Sequence, residues 1–598
     1  MTTGTLSRVV GALAEATGLD GIGLNELVRV GHRRLQAEVL RVTGEVTTLQ
    51  VFEDTTGLRI GEPVVADGRP LAIELGPGLL GSVVDGVGRP LGRIAELTGP
   101  FIEPGADAPT LDRGARYRFR PSCAPGDDVG PGDVVGTVED RGGFEHRILV
   151  PPGGGGVVRA VASGEIDVDA PAVTLTSGDP IRLAQRWPVR RPRPIAARDG
   201  RLQPFLTGQR VFDLLFPVAE GGTVAVPGGF GTGKTVIEQA LAKYGDADVI
   251  VYIGCGERGN EMADVLHDFR TLADPRTGRV VLDRTVLVVN TSNMPVAARE
   301  SSVDVGLTIA EYFRDQGWRV AVMADSLSRW AEALREVGSR LQEMPGEEGY
   351  PTSLASRAAR LHERAGRVRC LGRPERTGSV TLISAVSPPG GDFSEPVTQA
   401  CLRVTGALWA LDPALAHQRQ FPAVDWETSF SLEADRLAAR YDETVDPRWS
   451  DVRRRALDLL QRDADLREVA SVVGPDALED RDRLLLASAA ALREFVLGQS
   501  AFDPHDAYSP PERTFALADA AIRAFDEGSA AIDLGRAFAD LPVDRVRLAL
   551  AALRRAAPGD EAGARDRLRD AIDALAGTSR DTATGGRAAG GGPTGVRS

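Results

Sequence analysis

One stretch constrains this chain more than any other. An apolar strand, Thr223-Val224-Ala225-Val226, runs into Gly228-Gly229-Phe230-Gly231-Thr232-Gly233-Lys234-Thr235, and a helical pattern begins at once after Lys234. Glycines let the backbone take positive φ, so that successive N–H groups can converge on a phosphate. The helix that starts there adds the positive end of its dipole. In such a loop Lys234 reaches the β- and γ-phosphates of a nucleotide, and the Thr235 hydroxyl ligates Mg²⁺. The competing reading is a chance glycine-rich turn. The strand before the loop and the helix after it weigh against that reading, and the nucleotide expected is ATP.

Composition sharpens the point about the lysine. Of 70 basic residues, all but Lys234 and Lys243 are arginine. A chain that uses arginine almost everywhere has kept a compact ammonium at 234, where a planar guanidinium fork would not serve.

The text around the loop, from about 205 to 400, alternates strand and helix. Val249-Ile250-Val251-Tyr252-Ile253 is a buried strand followed by a helical run from Glu261, and Val286-Leu287-Val288-Val289 precedes a helix near 297–315. Val320-Ala321-Val322-Met323 is the next strand. This alternation predicts a parallel sheet with helices on both faces. Residues 1–72 read differently, as short strands such as Glu38–Val42 and Thr48–Phe52 bounded by Gly44 and Gly57, which a small barrel would close. Residues 110–185 are again rich in Gly, Pro and Val and predict a second β module. Gly153 to Gly156 within it reads as a turn, because neither lysine nor a capped helix follows. The segments 73–109 and 186–435 then form the α/β domain, 436–576 a helical domain with leucines at helical spacing, and 577–598 a disordered Gly- and Arg-rich tail.

At 598 residues the chain is long enough for several cores, and its formal net charge of −14 argues against a nucleic-acid or anionic-membrane surface. No apolar run approaches the ~20 residues of a spanning helix, and no signal pattern opens the chain, so a cytoplasmic location is expected with any membrane role through partners. The four cysteines are far apart, with no C-x-x-C, and predict neither disulfides nor a zinc site. His362 and His417 fall in helical stretches and read as structural.

Two acids complete a hydrolytic set. Asp325 follows the strand 320–324, where an acid can hold Mg²⁺, although the same residue could cap the next helix. Glu257, in Gly254-Cys255-Gly256-Glu257-Arg258-Gly259-Asn260-Glu261, stands at the carboxyl end of the strand 249–253, where open sheets place ligands. Its carboxylate can accept the proton of an attacking water, and Arg258 can neutralise developing charge. A solvated Glu–Arg pair at a helix start is the bland alternative.

These motifs, in this order, resemble the catalytic A-type chain of the V/A-type (vacuolar and archaeal/bacterial) rotary ATPases. The likeness is carried by GCGERGNE at 254–261, NTSNMPVAAR at 290–299, AEYFRDQG at 310–317 and ADSLSRWAEALR at 324–335. PGEEGYP at 345–351, SPPGGDFSEPVT at 387–398 and FPAVDWETSFS at 421–431 add to it. The resemblance implies a multidomain α+β chain: an N-terminal β-barrel, an inserted β module at 110–185, a RecA-like α/β domain and a C-terminal helical domain. It also implies an alternating hexamer of three A and three B subunits around a central rotor stalk, with peripheral stalks and a membrane sector for protons or sodium. The chain would lie on the cytoplasmic side of a bacterial or archaeal membrane, with sites at A–B interfaces and an arginine finger supplied by B.

By the same resemblance, Gly228 through Thr235 bind ATP, Thr235 and Asp325 serve Mg²⁺, and Glu257 activates water. Arg258 and Arg329 would stand near the γ-phosphate, and Phe421 and Phe502 would line the adenine pocket, plain core phenylalanines being the alternative. The sequence departs from the pattern in two ways. Position 232 is Thr where relatives often carry Ser or Cys, and the first thirty residues match loosely.

Other classes fit the residues less well. A non-catalytic ring member would lack a working loop or the carboxylate, and both Lys234-Thr235 and Glu257 are intact. A Rho-like RNA translocase would need aromatic and basic patches in 1–72, and an export ATPase of the flagellar or secretion type would lack 110–185.

Overall fold

The computed structural model describes residues 2–229, 231–474, 478–557 and 559–577. Phe230 and most of the expected tail, from 578 onward, lie outside the described residues. The chain divides into two units, one of residues 1–450 with 498–511 and one of 451–497 with 512 onward.

The first unit opens with a closed barrel of Thr3–Val10, Leu13–Thr17, Glu26–Val30, Leu35–Thr43, Val46–Val51 and Pro63–Pro70. The first strand pairs with Leu13–Thr17 and closes the barrel against Pro63–Pro70, with Thr3 opposite Val65. Alternating side chains, among them Leu6, Ala16, Val28, Val39, Leu49 and Val64, point inward and fill it. A sandwich of two four-stranded antiparallel sheets follows, built from strands between Tyr117 and Arg182. Phe119, Val135, Ile148, Val158, Val173 and Ile181 from both sheets share its core.

The sheet that bears the loop runs, in spatial order, Phe430–Ser431, Ala407–Leu408, Thr223–Pro227, Thr377–Val386, Arg319–Asp325, Val249–Cys255, Thr285–Asn290 and Val83–Asp85. Every pairing from Ala407–Leu408 to Val83–Asp85 is parallel. All seven residues of Val249–Cys255 are buried, which explains their unbroken run of apolar and β-branched types: a parallel strand covered on both faces has no polar side. Because the strands are parallel, Pro227, Cys255, Asn290, Asp325 and Val386 end along one edge, and the loops that carry Gly228–Thr235 and Glu257 leave from that edge.

Helix Val296–Asp315 packs on this sheet and is buried almost throughout, yet it carries Glu300, Asp304, Glu311 and Asp315. Each acid is met by a guanidinium. Arg364 pairs with Glu311 at 2.7 Å and with Asp304 at 3.2 Å. Arg190 joins Glu300 at 2.7 Å to Glu38 of the barrel at 2.8 Å, and Arg193 holds Asp315 at 2.6 Å. Such buried charges are tolerable only as complete pairs, and arginine's fork can meet two carboxylates at once.

The expected helical domain is interrupted. Residues 498–511 return to the first unit: Gln499 donates its N–H to the Phe421 carbonyl at 2.7 Å and its side-chain amide to the Gly208 carbonyl at 2.8 Å. Arg210, itself fully buried, pairs with Asp506 at 2.7 Å. The second unit is helical, with most of Trp449–Val473, then Asp480–Ala491 running into a π-helical turn at Leu492–Leu497. Pro511–Asp533, Val543–Arg554 and Glu561–Ala576 complete it. Among the described residues, no helix is long and apolar enough to cross a membrane.

Candidate active site

The loop leaves the end of strand Thr223–Pro227, where the Gly228 N–H donates to the Val386 carbonyl at 3.1 Å. Gly231 and Gly233 hold φ of +78° and +90°, which L side chains rarely adopt, and this is the physical reason for glycine there. Buried Thr232 donates its hydroxyl to the Gly229 carbonyl at 2.9 Å and braces the turn. Helix Lys234–Tyr244 starts directly on Gly233, which has no side chain to cap the first N–H groups. Lys234 donates its ammonium to the Gly228 and Gly229 carbonyls at 2.6 and 3.0 Å. Burial pulls its pKa below the usual lysine range, against the opposing fields of Asp325, Glu238 and Glu257. Thr235 is half-buried on the first helical turn.

Asp325 is the last residue of strand Arg319–Asp325, 6 % exposed, and accepts a hydrogen bond from the Tyr252 hydroxyl at 3.3 Å. Burial raises its pKa, with Lys234 and the Tyr252 bond opposing. Glu257 follows strand Val249–Cys255, and its backbone carbonyl accepts from the Ser292 N–H at 2.9 Å. Burial pushes its pKa up to about 7, reinforced by Asp325 and by a hydrogen bond with Glu261, while Arg329 opposes. Arg329 comes this near because Gly256, at φ +78°, has no side chain: a Cβ there would lie 2.5 Å from the Arg329 Cβ. Arg329 is held by both oxygens of Glu332 at 2.7 and 2.9 Å. Arg258 is exposed and faces Glu261 at 4.0 Å, in the cap position of helix Gly259–Thr271.

Phe421 and Phe502 are 43 % and 90 % exposed, so neither is a core phenylalanine. The Phe421 ring lies against the loop, 3.7 Å from where a Cβ on Gly233 would stand. Phe502 is carried on the returning segment 498–511 that Gln499 pins to the Phe421 carbonyl.

Two residues of this pocket escaped sequence reading. Glu238, one turn beyond Lys234 and 1 % exposed, faces the Tyr252 hydroxyl at 3.1 Å. The signal available was a carboxylate on the apolar side of the loop helix and a tyrosine in an otherwise apolar strand. Lys234, Glu238, Glu257 and Asp325 thus share one electrostatic neighbourhood, in which three carboxyl groups surround one ammonium. Such a set can bind a polyphosphate at the loop, hold a hard cation beside it and place a base of near-neutral pKa next to both.

Four family models match in chain order. They are the beta-barrel domain of the ATP synthase alpha/beta family over 6–68, the barrel-sandwich domain over 108–190, the nucleotide-binding domain over 208–431 and the C-terminal domain of V and A type ATP synthase over 438–535. The V-type ATP synthase alpha chain of Anaeromyxobacter sp. (strain K) is 54 % identical over 577 residues, 96 % of this chain and 99 % of the relative. The corresponding A-type ATP synthase chain of Methanopyrus kandleri is 49 % identical over 548 residues, 91 % of this chain and 92 % of the relative. Among solved structures, the assembled ATPase EscN of the enteropathogenic E. coli type III secretion system superposes with a TM-score of 0.60 at 23 % identity, covering 87 % of this chain and all of that one; it shares the fold. Barrel, sandwich, nucleotide-binding sheet and V/A-type C-terminal region occur together and in order, with about half of all residues shared across nearly the whole length, and the chain therefore belongs to the alpha (A-type) chains of the V/A-type ATP synthases, enzymes that act on ATP.

Proposed function

We propose that this chain provides the catalytic half of ATP sites shared with B subunits in an alternating three-plus-three ring, coupled through a central rotor stalk and peripheral stalks to a membrane sector that moves protons or sodium. The single observation that carries the catalytic reading is Glu257: a carboxyl group with a pKa near 7, beside Asp325 and Lys234, at the carboxyl edge of a parallel sheet. A group poised near the working pH is what a general base needs.

In this reading the amides of 228–235 and the Lys234 ammonium bind the β- and γ-phosphates, and the Phe421 and Phe502 rings clasp the adenine. Glu257 accepts the proton of the water that attacks the γ-phosphorus, while Arg258 and Arg329 meet charge developing there. The donor set fits Mg²⁺. Thr235 and Asp325 offer hard oxygen ligands next to the phosphate loop, and among the described residues no cluster of three or more His, Cys, Asp or Glu side chains forms a cage of its own. Mg²⁺ characteristically takes one or two protein oxygens and completes its shell with phosphates and water. When bound, it would neutralise charge on the β- and γ-phosphates. An arginine finger is worth about 10³–10⁵ in turnover, and in this reading B supplies it. The chain's acidic charge favours a nucleotide-driven ring over a nucleic-acid translocase.

The experiment is reconstitution. The purified chain alone should hydrolyse ATP slowly, and adding a B-type partner should raise turnover by orders of magnitude in a ring of alternating subunits. Fast turnover by the isolated monomer would remove the need for a partner's arginine and sink the shared-site reading.

A further inference from the structure

Behind the phosphate loop lies a buried hydrogen-bond chain that ties Asp325 to two residues, Tyr252 and Glu238, to which the ATP chemistry above gives no role. Glu238 projects from helix Lys234–Tyr244, Tyr252 stands in the middle of strand Val249–Cys255, and Asp325 ends the neighbouring strand. The Tyr252 hydroxyl oxygen is 3.1 Å from Glu238 Oε2 and 3.3 Å from Asp325 Oδ2. The ring is fully buried and is held edge-on by Phe269, with centroids 5.7 Å apart at 87°.

A phenol has one proton to give, and two carboxyl groups cannot both take it. Among the described residues Glu238 Oε1 is buried with no hydrogen-bond partner, which the carbonyl of a neutral acid can tolerate and an ionised carboxylate could not, so Glu238 is the protonated partner and the Tyr252 proton goes to Asp325. The phenolic oxygen can then only accept, so the hydrogen between it and Glu238 comes from Glu238. Burial and the nearby Asp325 charge both push the Glu238 carboxyl well above its usual range.

We propose that Glu238 is a positioning residue: through the Tyr252 hydroxyl it aims the Asp325 carboxylate at the Mg²⁺–phosphate side of the pocket. The chain runs Glu238 O–H to Tyr252 O, then Tyr252 O–H to the Asp325 carboxylate. This leaves the second Asp325 oxygen as a fixed acceptor for the cation's shell. The inference rests on the reading of Asp325 as a Mg²⁺ residue.

The test uses the full chain assembled with its B-type partner and follows binding, with no turnover needed. A fluorescent ADP analogue is titrated without metal, and again across a Mg²⁺ series, for Glu238→Gln, Glu238→Met, Tyr252→Phe and Asp325→Ala. Supports of this kind are worth ~10–100-fold in metal affinity. Glu238→Met and Tyr252→Phe should each raise the half-saturating Mg²⁺ concentration about tenfold or more, with metal-free binding unchanged. Glu238→Gln, whose amide can still donate to the phenolic oxygen, should stay within about threefold of the parent. Tyr252→Phe removes only a hydroxyl and preserves the packing, so it reports even if Glu238→Met folds poorly. Unchanged Mg²⁺ demand in Tyr252→Phe would overturn the proposal, as would a Glu238→Gln variant as impaired as Glu238→Met. Equal weakening of metal-free binding would instead make the chain ordinary packing and overturn it too. If Asp325→Ala itself left the Mg²⁺ demand unchanged, the underlying site reading would fall; an effect in Asp325→Ala alone would defeat only the Glu238 inference.

Discussion

Glu257 is a sharp place to perturb this site, because its environment sets both a rate and a pH at which the rate changes. Its carboxyl is pushed up from 4.5 to about 7, first by burial, then by Asp325 and Glu261. Only the ionised form can take a proton from water. In the free enzyme, about half of the molecules are then competent at pH 7 and about a tenth at pH 6, so kcat/KM should fall roughly tenfold per unit below pH 7. Replacing Glu257 with Gln removes the proposed base and should lower turnover by ~10²–10⁴-fold. It should leave nucleotide affinity nearly intact and erase this acid limb from whatever activity remains. Glu261→Gln should shift the limb to lower pH, because it removes a neighbouring negative charge. The assay is steady-state ATP hydrolysis by the reconstituted ring from pH 5.5 to 9 at fixed ionic strength. Mg²⁺ is kept in excess so that the nucleotide's terminal phosphate stays deprotonated. A profile flat to pH 5.5 would refute the burial argument, and an acid limb that persists in Glu257→Gln would assign the titration to another group.

Two further outcomes follow from packing and from exposed rings. Phe421→Ala or Phe502→Ala should weaken ATP binding by about 1–3 kcal/mol, the worth of stacking one base, and leave pyrophosphate binding untouched; calorimetry with both ligands checks this, and equal loss of both would place the rings elsewhere. Arg364→Ala removes the 2.7 Å partner of Glu311 and leaves it only Arg314 at 3.8 Å, while Asp304 keeps Arg190 at 3.3 Å; breaking this buried pair should cost about 3–5 kcal/mol, seen as a lowered urea midpoint, and a shift of a few tenths would mean that the remaining arginines or water take over.

What could be read from the residues was local. Gly228–Thr235 is contiguous, and its strand–loop–helix setting is a matter of neighbouring residues. Asp325 and Glu257 each follow an apolar strand, and a parallel sheet brings all such ends to one edge. The barrel and sandwich were legible because alternation and turn residues repeat at short range. The resemblance added the expected roles of Arg329, Phe421 and Phe502, which their own neighbours do not disclose.

Other features depend on groups far apart in the chain. Residues 498–511 sit within a helical stretch, and nothing in their composition says that Gln499 and Asp506 fold back onto Phe421 and Arg210. Glu38, Arg190, Glu300 and Arg364 look like ordinary surface charges in a sequence with 26 % charged residues; burial turns them into a paired network. Glu238 and Tyr252 are the clearest case. Each is unremarked in its own helix or strand, and only the packing of that helix against the sheet brings both to Asp325. The sequence by itself determined the phosphate loop, the strand-end acids and the order of domains, since these depend on spacing within one element. The tertiary structure alone decided which charges are desolvated and which lie within hydrogen-bonding distance, since a pKa or a hydrogen-bond direction is set by everything that surrounds a group in space.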